Sequence, residues 1–147
     1  MSMSHEDVEG FPLLTPEEAR ARLPEVRPCL SRLREAFHEF QFAAQQQEEL
    51  VRLSGAGVRE PGHPDHEEFV TWSQKADMAQ EQVRLDIRSL NALGADVKDP
   101  LLGLIDFYGR RSNGAIALLC YRQDEETITH WHDRDVGFAG RRPLSQW

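Results

Sequence analysis

From Val26 onward the apolar positions advance in alternating steps of four and three: Val26, Leu30, Leu33, Phe37, Phe40, Ala44, Gln47 and Val51. That is an a/d seam sustained over more than three heptads, with one polar member. It stops at Ser54-Gly55-Ala56-Gly57, and a Gly- and Pro-rich connection runs to residue 65. A second seam follows over 66–93, through Phe69, Trp72, Ala76, Ala79, Val83, Asp86, Leu90 and Leu93, with Gly94 as its stop. Two long helices of matching length joined by a short loop pack antiparallel. A fold about residue 60 predicts Gln47 near Trp72, accepting from its indole, and Asp86 within reach of Arg32 or Arg34. Ahead of the hairpin, Thr15-Pro16-Glu17-Glu18 reads as a capping box opening a short helix. Pro24 is expected to end that helix and begin the next.

Beyond Gly94 the period changes to alternation. Leu104–Tyr108, Ala115–Arg122 and Thr127–Trp131 read as three strands. Asn113-Gly114 predicts a two-residue type I′ turn, which pairs Phe107 with Cys120. The next turn brings Leu119 near Trp131. In that register one face carries Ile105, Phe107, Ile116, Leu118, Cys120 and Ile128. The other carries Leu104, Asp106, Tyr108, Leu119, Tyr121 and Trp131. Both are apolar, and the helices can cover only one. The expected fold is α+β: a long antiparallel two-helix hairpin (24–93) preceded by a short helix, then a three-stranded antiparallel meander and an irregular C-terminal tail (95–147). These make a single domain over 11–147, behind a disordered tail at 1–10.

Charge changes the picture of partners. The chain carries a formal −8, and residues 1–94 hold 17 acidic and 10 basic side chains. An acidic helical half repels phosphate backbones, so nucleic acid is not the expected partner. Only Lys75 and Lys98 among the basic residues are lysine; the arginines are scattered, as a GC-rich genome would leave them. The hydrophobic fraction of 39% is low for this length, and together with the uncovered sheet face it predicts a homodimer. Cys29 and Cys120 lie in apolar patterns without a CxxC, as buried reduced thiols do. A polar start and no membrane-length apolar run predict a cytoplasmic protein.

The densest chemistry lies between His130 and Arg141. His130 and His132 share one face of a strand, a spacing suited to two imidazole ligands, and Asp133 or Asp135 can add an oxygen. The metal set expected from spacing is therefore His130, His132 and Asp135, holding a divalent ion. Gly137-Phe138-Ala139-Gly140 suits a tight turn that places Phe138 in a pocket. Arg141 is then free to pair with a carboxylate such as Asp106 or Asp135, or to bind a small anion.

Several segments resemble a family of small bacterial and archaeal proteins catalogued as a domain of unknown function, family 2203. They are Leu13 to Pro24, Asp99-Pro100 with Gly103 to Phe107, Leu119 to Arg122, and Trp131-His132-x-x-Asp135-x-Gly137-Phe138-Ala139-Gly140-Arg141. The resemblance implies that Asp106, Trp131, His132, Asp135, Gly137, Phe138 and Arg141 are the positions to watch, and it implies no activity. His130 and Arg142 depart from the family pattern, which leaves His132 with Asp135 as the better pair.

Two functions fit these residues. The first is a homo-oligomeric binding or assembly protein with a polar pocket where His132, Asp135 and Arg141 converge with Asp106 over a floor of Trp131. The alternative is a metal-dependent, hydrolase-like enzyme using His132 and Asp135, with or without His130, to activate water.

Overall fold

The computed structural model describes residues 7–147, so the expected disordered tail at 1–10 falls outside it for residues 1–6. From Asp7 the chain is ordered as a tight hairpin of β1 (Asp7–Val8) and β2 (Phe11–Pro12). Glu9 and Gly10 both have positive φ, 54° and 83°, the conformation a type I′ turn demands.

Helix α1 runs unbroken from Pro16 to Ser54. The Thr15 hydroxyl accepts from the Glu18 N–H, and the Glu18 carboxylate accepts from the Thr15 N–H, so the capping box forms. The expected break at Pro24 does not occur. Pro24 and Pro28 both face solvent, where the carbonyls they leave without a donor can be hydrated. The opposite face holds Ala19, Leu23, Val26, Leu30 and Leu33, at most 2% exposed, and their burial across the proline segment offsets the lost helix bonds. After a turn of 3₁₀ helix, Ala56–Arg59, α2 (His66–Ala92) returns antiparallel to α1. Asp86 meets Arg32 at 3.7 Å, as the seam predicts. Gln47 instead donates to the Phe69 carbonyl at 3.4 Å, while Trp72 takes Phe42 edge-on and Lys75 over its face.

The sheet has five antiparallel strands rather than three, in the order β3 (Asp96–Asp99), β4 (Leu104–Arg110), β5 (Ile116–Arg122), β6 (His130–Asp133) and β7 (Arg142–Pro143). The two additional strands are short, charged edges with no alternating apolar signal. Leu119 does lie opposite Trp131.

The β4–β5 register differs by one residue from the expected one. Arg111 N–H donates to Ala115 O and Gly114 N–H donates to Arg111 O, with Gly114 at φ 88°. This is a three-residue loop ending on a left-handed glycine, not a two-residue I′ turn. Phe107 therefore pairs with Leu119, and Asp106 with Cys120. A slip of one residue exchanges the faces of one strand relative to the other. The helix-facing side carries Ile105, Phe107, Ala117, Leu119, Tyr121 and Trp131; the other carries Asp106, Tyr108, Leu118, Cys120 and His132.

The chain itself partly covers that second face. Phe11 stacks on Tyr108 at 5.3 Å, and the Tyr108 hydroxyl lies 2.9 Å from Glu9 and 2.8 Å from Asp96. Burial and then these two carboxylates push the phenol pKa up. The arginines of α1 have a shared structural use: Arg20, Arg22 and Arg34 donate to the carbonyls of Ile128, Leu93 and Leu101. They tie the helix to the sheet connections. Among the described residues no helix is long and apolar enough to cross a membrane.

Candidate functional site

On the second face of the sheet, three buried ionisable side chains from the three central strands converge. Asp106 on β4 stands directly opposite Cys120 on β5, and His132 on β6 lies opposite Leu118, diagonal to Cys120. Alternation along each strand turns all three to the same side. All are buried: Asp106 at 2% exposure, Cys120 at 0% and His132 at 4%.

His132 Nε2 is 3.2 Å from each carboxylate oxygen of Asp106, and Nδ1 is 2.9 Å from the Asp133 carbonyl. A carbonyl only accepts, so Nδ1 carries a proton. Burial alone depresses the imidazole pKa. Hydrogen bonds to Asp106, Cys120 and the Asp133 carbonyl, with the Asp106 charge, outweigh it and push His132 up to about 10. His132 and Asp106 thus form a buried, hydrogen-bonded imidazolium–carboxylate pair.

The guanidinium of Arg141 lies near the Cys120 thiol on this face. Arg141 also holds Glu125 in a two-pronged contact at 2.9 and 3.1 Å and stacks on Phe138 at 4.2 Å. Its carboxylate is thus Glu125, not Asp106 or Asp135. Phe138 begins the 3₁₀ turn Phe138–Gly140 and lines a pocket of about 290 Å³ above the pair. Asp106, His132 and Phe138 meet there with Lys98, Leu104, Leu118, Arg134 and Val136.

Three expected site residues do not line this pocket. Trp131 is on the opposite face, fully buried in the core, where it donates to the Pro143 carbonyl and meets Trp147 edge-on at 5.7 Å. It anchors the tail and is not a pocket floor. Asp135 is exposed and lines an adjoining surface depression with Glu9 and Asp133, divided from the pocket by Arg134 and Val136. His130 shares the His132 face and stands opposite Cys120, but its Nδ1 lies 2.8 Å from the Thr129 hydroxyl. Among the described residues, the group whose ligand-type atoms converge is Asp106, Cys120 and His132, all within 4.8 Å of one another. His130 and Asp135 do not join it.

Cys120, Lys98, Arg134 and Glu125 are absent from the sequence-derived site. The signal for Cys120 was the hairpin register: a three-residue loop Ser112-Asn113-Gly114 sets it against Asp106, whereas a two-residue turn sets Phe107 there. Nothing local marks Lys98 or Glu125, which reach the site only through the fold.

No curated protein and no solved structure matches the chain. A family model does, described as "Uncharacterized conserved protein (DUF2203)", over residues 13–144, which takes in α1, α2, the central sheet and the whole pocket lining. The chain belongs to the DUF2203 family.

Proposed function

We propose that the chain is a binding protein whose site is the pocket over the Asp106–His132 pair, and that its ligand is a small organic anion. The carrying observation is the pocket's chemistry. Its buried carboxylate is already neutralised by His132, two further cations, Lys98 and Arg134, stand at its walls, and Leu104, Leu118, Val136 and Phe138 supply apolar surface. Lys98 is paired with Asp96 at 2.7 Å and Arg134 with Glu9 at 3.2 Å. Pairs this accessible to water contribute little, so an incoming carboxylate or phosphate exchanges for them at small cost. A volume of about 290 Å³ sits at the lower end of small-ligand pockets and suits a metabolite-sized molecule with a short hydrocarbon body.

The test is titration calorimetry against a panel of short carboxylates and phosphate monoesters, with a chelator present. Saturable binding is expected, weakened about tenfold, or ~1.4 kcal/mol, by Lys98→Met or by Phe138→Ala. Absence of saturable binding by every member at millimolar concentration overturns the reading.

Assembly belongs to the same proposal, with a second copy seated on the hairpin. Phe42 and Met78 are 54% and 74% exposed beside a groove based on Ala43 and Ala79. Glu39 and Lys75 also line it, opposite charges that a two-fold arrangement can cross-pair. Sedimentation should give a dimer that Met78→Lys dissociates. A single 16.9 kDa species at micromolar concentration rules it out.

A further inference from the structure

We infer that Asp106, Cys120 and His132 are the protein ligands of a mononuclear site for a zinc-class divalent cation, with its open coordination position facing the pocket. This goes beyond the anion-binding reading: it uses the floor of the pocket and none of the cations at its walls.

Three features carry it. The first is convergence. A carboxylate, a thiol and an imidazole arrive from three adjacent strands with ligand atoms within 4.8 Å of one another. A tetrahedral zinc holds such atoms roughly 3.3–3.6 Å apart, given its bond lengths of about 2.0–2.3 Å. The 3.2 Å between His132 Nε2 and Asp106 is within about 0.1 Å of that spacing. The central strands of a sheet hold these side chains rigidly, as a metal site requires.

The second is orientation. Nδ1 of His132 is committed to the Asp133 carbonyl at 2.9 Å, so Nε2 is the nitrogen presented to Asp106 and Cys120. A backbone carbonyl fixing the far nitrogen is the usual outer support of a metal-bound imidazole.

The third is what an ion pair alone would leave idle. Asp106 and His132 satisfy each other without help, yet a fully buried thiol is turned onto them rather than into the apolar core. With a dication bound, carboxylate and thiolate balance its charge and the imidazole is neutral. A Cys, His and carboxylate set selects zinc or cobalt over calcium and magnesium. Three protein ligands with one free position, beside a pocket lined by Asp106 and His132, is the pattern of zinc sites that act on a bound molecule rather than merely brace a fold.

The experiment uses untagged full-length protein, stripped with chelator and titrated with Co²⁺ alone, followed by optical absorption, with Zn²⁺ competition and elemental analysis as a second readout. The expected result is one equivalent bound, with a near-ultraviolet thiolate-to-cobalt charge-transfer band that Zn²⁺ bleaches. Cys120→Ser should abolish the band, and Cys29→Ser should leave it intact. His132→Ala and Asp106→Ala should each weaken Co²⁺ by more than the 10–100-fold typical of losing an outer-shell partner. Absence of binding by the wild-type chain overturns the inference. So does binding without a thiolate band, or a band that follows Cys29. The wild-type spectrum decides the case even where a variant fails to fold. A failed anion titration leaves this result untouched, because no anion takes part in it.

Discussion

His132 Nε2 lies 3.2 Å from both carboxylate oxygens of Asp106, although the two residues are 26 positions apart in sequence and on strands separated by β5. Both are almost wholly excluded from solvent. Each is therefore the other's principal compensation for lost hydration, and neither can be removed without exposing the cost of burying its partner.

Replacing one member should be worse than replacing both. His132→Leu leaves a buried carboxylate without its counter-charge and is expected to lower stability by about 3–5 kcal/mol. Adding Asp106→Val to that variant should recover most of the loss, because an apolar pair of similar volume needs no compensation. Urea unfolding of the two singles and the double measures the coupling; additive losses contradict a paired interaction.

The same pair fixes a pH dependence for the metal-free protein. Folded His132 holds its proton up to about 10, against an ordinary value of 6.5. A raised folded-state pKa means the stabilisation is fully present below pH 6.5 and is lost as pH rises through 10. Unfolding free energy measured across that range should fall more steeply for wild type than for His132→Gln. Equal slopes would show that His132 titrates normally.

Gly109 on β4 is held by close approach. A Cβ there would meet the Leu14 carbonyl at 2.7 Å and the Trp147 ring at 3.1 Å. The Leu14 oxygen belongs to the segment whose N–H donates to the Tyr108 carbonyl, so it cannot retreat without breaking that bond. Gly109→Ala should cost about 1–3 kcal/mol, as overpacking does. Thermal melting checks this, and fluorescence of the Trp147 environment should shift with it.

Asp86 in the hairpin seam is 3% exposed, and among the described residues its Oδ2 is buried without a hydrogen-bond partner. Oδ1 has Gln82 at 3.1 Å, and Arg32 at 3.7 Å is 58% exposed. An unmatched buried oxygen costs on the order of 1–3 kcal/mol. Asp86→Leu should therefore raise the melting temperature, and a fall would show that the carboxylate is better satisfied than its contacts imply.

What the amino-acid order determined was local. The heptad seams marked both helices, with α2 matching to within one residue of 66–93, because apolar residues recur at helical spacing on one face. Thr15 and Glu18 announced the capping box because capping is decided within four residues. Alternation located β4 and β5 for the same kind of reason. The tertiary structure decided the rest. Pro24 and Pro28 should break a helix on propensity, and burial of Leu23, Val26 and Leu30 against distant residues kept it whole. The choice between a two- and a three-residue loop at Asn113-Gly114 rests on which register buries the larger side chains, and those neighbours come from α1 and β6. That choice turned Cys120 toward Asp106 and His132, and Trp131 to the opposite face, into the core. His132 and Asp106 were legible as polar residues in apolar strands. That they meet each other, and not Asp135 or Arg141, follows from strand order and pleat, which short-range sequence does not encode.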